Sequence, residues 1–123
     1  MGKACLVVDD SRVIRKVARS MLEELGFSVH EAEDGLTALD ACRQSMPEAI
    51  LLDWNMPNLN GIEFLRRLRR EEPGGEGPIV VFCTTESDIG RISEALEAGA
   101  SEFIMKPFDR DILQAKLAEV GLV

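Results

Sequence analysis

Five polar residues stand where short apolar runs stop. Asp9 and Asp10 follow the run at 4–8, Asp53 follows 49–52, Thr84 follows 78–83, with Thr85 beside it, and Lys106 follows 102–105. If those ends share an edge, three carboxylates, a hydroxyl and an ammonium meet. Carboxylates so placed repel one another, and some protonate unless a cation neutralises them. Lys106 offsets one charge, and a hard divalent ion would offset the rest. Mg2+ suits such a site, because it takes oxygen ligands in octahedral geometry and binds through one or two carboxylates plus phosphate. An aspartate held there can act as a nucleophile and form an acyl phosphate. The cation, Lys106 and the Thr84 hydroxyl would then stabilise the equatorial oxygens of a transferring phosphoryl group. Each residue is ordinary alone: Asp10 could cap a helix, and Thr84 suits a strand. Their convergence is what argues for chemistry.

Convergence requires elements that bring the run ends to one edge. Between the runs, which include 28–32, lie segments of helical period. The first starts at Ser11, a good N-cap, carries Ile14, Val17, Ala18, Met21, Leu22 and Leu25 on one face, and ends at Gly26. The second, about 36–45, turns Leu39 and Cys42 inward and stops before Pro47. The third carries Ile62, Leu65 and Leu68, followed by the breakers Pro73-Gly74-Gly75-Glu76-Gly77-Pro78. The fourth is expected to be capped by Ser87 or Asp88, to carry Ile89, Ile92 and Leu96, and to close at Gly99. The fifth opens at Asp109 and carries Ile112, Leu113, Leu117 and Val120.

Five such units predict one α/β domain over residues 1–123: a doubly wound, five-stranded parallel sheet with helices on both faces. Nearly unbroken apolar runs fit strands buried on both sides. The flavodoxin-like strand order 2-1-3-4-5 is the known arrangement for this alternation rather than something spacing dictates. It puts ligands at the carboxyl ends of the strands, where the order reverses.

Composition narrows the function classes. The chain has 123 residues, 46% hydrophobic and 29% charged, enough for one core without covalent staples. A net charge of −8 argues against nucleic acid or an anionic membrane surface as a general partner. No apolar run approaches spanning length, and the N-terminal residues lack a signal-peptide layout, so a cytoplasmic location is expected. Cys5, Cys42 and Cys83 are far apart and odd in number, which reads as buried thiols in a reducing compartment.

Four separated segments, in order, resemble the response-regulator receiver family. They are Leu6-Val7-Val8-Asp9-Asp10-Ser11, Leu52-Asp53-Trp54-Asn55-Met56-Pro57 with Asn60-Gly61, Cys83-Thr84-Thr85-Glu86, and Met105-Lys106-Pro107-Phe108. Ala98-Gly99-Ala100 also looks like the family's approach to its lysine. The likeness runs over essentially the whole chain, and 53–58 looks particularly like the family's single-domain, CheY-like chemotaxis regulators.

The resemblance implies that Asp53 accepts phosphate from a histidine kinase or a histidine phosphotransfer protein. It implies that Asp10, Asp53 and the backbone carbonyl of Asn55 contact Mg2+, with Asp9 acting through metal-bound water. Thr84 would bond the phosphoryl group, Lys106 would pair with it, and Phe103 would be the aromatic switch, where tyrosine is common. The Lys106–Pro107 bond would be cis, and Asn55 and Glu86 would tune the phosphoryl lifetime. Switching would reshape the face built from the fourth helix, fifth strand and fifth helix for a downstream protein target. On this reading the chain is a monomer that promotes its own phosphorylation and dephosphorylation without being a conventional enzyme. A phosphate sink or intermediate in a developmental or stress relay, and a phosphate-independent interaction module, are the alternatives.

Other features have plainer readings. Arg66-Arg67 and Arg69-Arg70 read as a solvated helix face, with an acidic partner or nucleotide as the sharper option. Arg12, Arg15, Lys16 and Arg19 line the first helix, where the family can dock kinase-side partners. His30 reads as a surface or packing histidine, Trp54 as a partly exposed neighbour of the acceptor, and 74–77 as a flexible connector. A flavodoxin-type carrier would need a phosphate loop after the first strand, where Asp9-Asp10 would repel phosphate. An aspartyl-phosphate hydrolase would carry Asp-x-Asp there.

Overall fold

The computed structural model describes residues 3–123, apart from the side chains of Glu86 and Ser87. Its strands are β1 (Ala4–Val8), β2 (Ser28–Ala32), β3 (Ala49–Asp53), β4 (Ile79–Thr84) and β5 (Glu102–Met105). The helices are α1 (Arg12–Glu24), α2 (Gly35–Gln44), α3 (Gly61–Arg70), α4 (Ile92–Glu97) and α5 (Arg110–Glu119). The strands form one parallel sheet in the order β2-β1-β3-β4-β5.

Side chains alternate across a strand, and the core divides accordingly. Leu6, Val8, Ile50, Leu52, Val80 and Phe82 face α2 and α3, where Leu39, Cys42, Ile62, Leu65 and Leu68 complete one cluster. Cys5, Val7, Leu51, Val81 and Cys83 face the other way and pack with Leu22, Leu113 and Leu117 of α1 and α5. All of β3 is buried, as expected of a central parallel strand, whereas β2 alternates because it is an edge. The three cysteines are free and buried, and desolvation pushes the Cys5 thiol up to about 12 and the Cys42 thiol up to about 11.

Side-chain oxygens satisfy the helix starts: Ser11 accepts from Ile14, Asp34 from Thr37, Asn60 from Glu63 and Asp109 from Ile112. The fourth helix differs from its sequence reading. A 3-10 turn, Glu86–Arg91, precedes it, and α4 begins only at Ile92. Thr85 stands at the N-cap position of that turn, and the Asp88 side chain accepts a hydrogen bond from the Thr85 hydroxyl at 3.2 Å. The expected cap at Ser87 lies outside the described side chains.

Several apolar residues of the helical stripes are exposed. Ile14 and Val17 on α1, Ile89 and Leu96 around α4, and Ile112 on α5 are each 40–51% exposed. On α1 only Ala18 and Leu22, one turn apart, are buried, so its apolar stripe is wider than its contact with the sheet. The outer part, with Val13, lines a groove beside Pro107 and Phe108. On α4 the helix is too short to seat more than Ala95.

The segment 74–77 is also more fixed than a flexible connector. Arg69, read as part of a solvated face, turns inward and donates to the carbonyls of Gly75 (3.2 Å), Pro78 (2.9 Å) and Gly99 (2.6 Å). It thereby ties the α3–β4 connection to the turn before β5.

Candidate functional site

Parallel pairing aligns the strand ends. Asp53 is the last residue of β3 and pairs with Cys83, one residue short of Thr84; Thr84 pairs with Met105, one short of Lys106. Asp9 follows β1, and its backbone N–H donates to Ala32 of β2 at 3.2 Å. Asp9, Asp53 and Thr84 are all buried, and Asp10 beside them is exposed. Carboxylate oxygens of Asp9, Asp10 and Asp53 lie within 4.8 Å of one another.

Among the described residues, Lys106 is the cation that contacts this group. Lys106 Nζ is 2.6 Å from Asp53 Oδ1 and 3.6 Å from Asp9 Oδ2. Its own backbone N–H donates to the Thr84 carbonyl at 2.6 Å, which fixes where the side chain starts. Lys106–Pro107 is cis, as the resemblance implied. Burial opposes the charge of Lys106, but the bond to Asp53 and attraction to Asp9 outweigh it and raise its pKa.

The balance at Asp9 runs the other way. Burial raises its pKa, the Ser11 backbone N–H at 2.9 Å opposes that, and repulsion from Asp53 and Asp10 adds to it. A cluster with three carboxylates and one ammonium is short of positive charge. Its donors are hard oxygens converging on one spot, so the residues fit a hard divalent cation.

Thr84 stands at the same edge, with its hydroxyl bonded to the Thr85 carbonyl at 3.3 Å. Asn55 lies two residues beyond Asp53 on the exposed part of the β3–α3 loop, and the side chain of Glu86 lies outside the described residues. Phe103 is half-buried on β5 against the α2–α3 side of the core, with Lys116 Nζ 5.4 Å from its ring centre. Trp54 is half-exposed next to the acceptor, as read from sequence, and carries the guanidinium of Arg91 at 4.2 Å from its ring centre. His30 is exposed on the β2 edge.

The basic stripe of α1 is largely occupied within the molecule. Arg15 (3.1 Å), Lys16 (2.8 Å) and Arg19 (3.0 Å) all converge on Glu31 of β2. Arg15 also donates to the backbone carbonyl of Asp9 at 2.8 Å, joining this cluster to the acidic one. The sequence reading missed Glu31, Asp34 and Asn58. A signal for Asp34 existed, since Asp34-Gly35 opens a helical segment with Thr37 at the capping distance.

The comparisons with known proteins agree with this geometry. The Response regulator receiver domain description matches residues 5–118. Chemotaxis protein CheY-3 of Vibrio cholerae is 36% identical over 116 residues, covering 94% of this chain and 88% of that protein. The structure of chemotaxis response regulator CheY4 of Vibrio cholerae superposes with a TM-score of 0.90 at 30% identity, covering 98% of this chain and 99% of that one. The receiver domain of sensor histidine kinase PA1611 from Pseudomonas aeruginosa, which has a magnesium ion coordinated in its active site cleft, superposes with a TM-score of 0.87. That match is 31% identical and covers 97% of each chain. With its motifs, strand order and acidic edge all in place, the chain belongs to the response regulator receiver domain family.

Proposed function

We propose that Asp53 is the phosphoacceptor of a response regulator that takes its phosphoryl group from a histidine kinase or a histidine phosphotransfer protein. The observation that carries this is the 2.6 Å contact of Lys106 with Asp53 inside a cluster of three carboxylates. An Asp53 oxygen attacks the donor phosphorus, the phosphorus–nitrogen bond to the donor histidine breaks, and the imidazole leaves with a proton. The product is an acyl phosphate on Asp53. Hydrolysis by water returns the carboxylate and inorganic phosphate, so the chain takes part in both steps without turning over a separate substrate.

Asp10, Asp53 and the carbonyl of Asn55 would hold Mg2+, with Asp9 acting through water, and the ion would supply charge neutralisation for the transferring group. Lys106, already at Asp53, pairs with a phosphoryl oxygen. Thr84 leaves the Thr85 carbonyl to donate to another. Phosphorylation adds about −1.5 to −2 charges, and bonds to charged oxygens are the strong ones. Movement of Thr84 makes room that Phe103 fills, which biases an existing equilibrium of the α4–β5–α5 face. Leu96 and Ile112 are exposed on α4 and α5, and Ile89 on the 3-10 turn before α4, where a protein target can cover them. Val13, Ile14, Val17 and Phe108, beside Lys106, offer the donor an apolar approach. The names of the chemotaxis relatives make flagellar motor control the first output to test, by capture of switch components on beryllofluoride-treated protein.

The deciding experiment is incubation with acetyl phosphate, with and without Mg2+, read by intact mass beside Asp53→Asn. Gain of one phosphoryl group only with Mg2+, and none in the variant, is the expected result. Absence of both phosphorylation and Mg2+ binding would overturn this proposal in favour of a phosphate-independent interaction module.

A further inference from the structure

The β3–α3 loop, which runs from the acceptor to α3, is held by a residue from a different part of the chain. Asp34, at the start of α2, is only 8% exposed. Its Oδ1 accepts from the Thr37 backbone N–H at 2.7 Å and from the Thr37 hydroxyl at 2.8 Å, which completes the helix cap. Its Oδ2 accepts from the Asn58 side-chain amide at 2.9 Å. Asn58 has φ +67°, a left-handed conformation that asparagine tolerates better than most residues. On one side of it Met56 is buried, and on the other Leu59 is buried and donates to the Pro57 carbonyl at 2.7 Å. The Gly61 N–H closes the loop onto the Trp54 carbonyl at 3.0 Å. The loop is therefore pinned at its apolar residues and at Asn58, while Asn55 between Trp54 and Met56 is exposed.

We propose that the Asp34–Asn58 hydrogen bond is a positioning pair for the divalent cation: it sets the curvature of the loop that presents the Asn55 carbonyl. This rests on the reading that Asp53 and Asn55 hold the ion. The geometry favours a positioning role over a purely local one. Thr37 meets one oxygen of Asp34 and the Asn58 amide meets the other, so the carboxylate joins the helix cap to the loop. A backbone ligand cannot be oriented by its own side chain, so its direction depends on whatever fixes the chain around it. Partners that orient ligands commonly change metal affinity by about 10–100-fold when removed.

The test is Mg2+ titration of the full chain, followed by Trp54 fluorescence and by calorimetry, with thermal melting measured in parallel. Asn58→Gly tolerates the positive φ and removes the side chain that carries the amide. Asp34→Ser keeps a capping oxygen and removes the one that meets Asn58. Each is expected to weaken Mg2+ binding about tenfold, the lower end of such effects. The swapped double variant, Asp34→Asn with Asn58→Asp, restores a donor facing an acceptor without changing net charge. It is expected to recover most of the affinity. Wild-type affinity in Asn58→Gly and Asp34→Ser, even with lowered melting temperatures, would overturn the proposal, as would a swap that regains stability but not affinity. Wild-type protein that binds no Mg2+ would instead remove the metal reading itself, and this inference with it.

Discussion

Two charge clusters share α1 as a wall, and their imbalances are opposite in sign. At the carboxyl edge of the sheet Asp9, Asp10 and Asp53 share one ammonium, that of Lys106. One strand away, the single carboxylate of Glu31 holds Arg15, Lys16 and Arg19. Arg15 belongs to both, through Glu31 and through the Asp9 carbonyl. At Glu31, burial works against the charge, but the three cationic donors outweigh it and hold the carboxyl at about 2. At Asp9, burial and neighbouring carboxylates hold the carboxyl above its ordinary range. The difference separates roles. The Glu31 carboxylate is satisfied by cations of the fold itself and serves stability, whereas the carboxylates of the acidic edge are left short of positive charge and fit a cation from outside.

Glu31→Gln is the largest expected perturbation. It leaves three cations facing a neutral amide at a site where the carboxylate side chain is only 12% exposed. A loss of about 2 kcal/mol in urea unfolding at pH 7 is expected. The pH dependence is diagnostic as well. A carboxyl whose folded value lies near 2 and whose ordinary value is 4.5 adds stability that is complete above pH 4.5 and is lost as pH falls toward 2. The variant should therefore have a shallower acid limb over that window. An unchanged limb would show that Glu31 is not what the acid limb reports.

Asp9→Asn should move stability in the other direction. Its raised pKa means that the fold prefers the protonated form, so the charged form costs stability at neutral pH. The amide can still accept from the Ser11 N–H, so that bond is kept while a repulsion is removed. The metal-free variant is expected to be more stable by about 1 kcal/mol. Mg2+ should raise the melting temperature of the wild type, since an ion bound only by the folded state stabilises it. That response should shrink markedly in the variant. A variant less stable than wild type without metal would break the comparison, because Asp9 would then be a structural charge like Glu31.

The contrast also explains what could be read in the chain beforehand. Asp9, Asp53, Thr84 and Lys106 were legible because each terminates an apolar run, and in parallel strands such ends must align. The core face of α3 was legible too: Ile62, Leu65 and Leu68 recur at helical spacing and all three are buried. The same spacing failed on α1, where Ile14 and Val17 continue the stripe past the sheet, and on α4, which the 3-10 turn shortens. Local pattern reports an apolar face, not the width of what covers it. Asp34–Asn58, Arg15–Glu31 and Arg69–Gly99 were not legible, because each joins residues 16 to 30 apart whose meeting depends on loop paths. Charged side chains in a basic or acidic run look alike until the fold supplies carbonyls for one of them, as it does for Arg69.

The smallest expected effect tests whether charge count or burial governs the Glu31 cluster. Lys16 lies 2.8 Å from Glu31, closer than Arg15 at 3.1 Å, yet its side chain is 53% exposed against 13% for Arg15. An exposed pair is screened by water and salt, so Lys16→Gln should cost under about 0.5 kcal/mol, and molar salt should erase the difference. Arg15→Gln should cost more and resist salt, since it also loses the bond to the Asp9 carbonyl. Each variant is best combined with Glu31→Gln in a double-mutant cycle, which isolates the pair from effects on the unfolded chain. A coupling for Lys16 equal to that for Arg15 would mean that the number of cations, not their burial, sets the strength of the cluster. The contrast with the acidic edge would then reduce to net local charge. A coupling confined to Arg15 would identify it as the one cation that transmits the position of β2 to the backbone at Asp9.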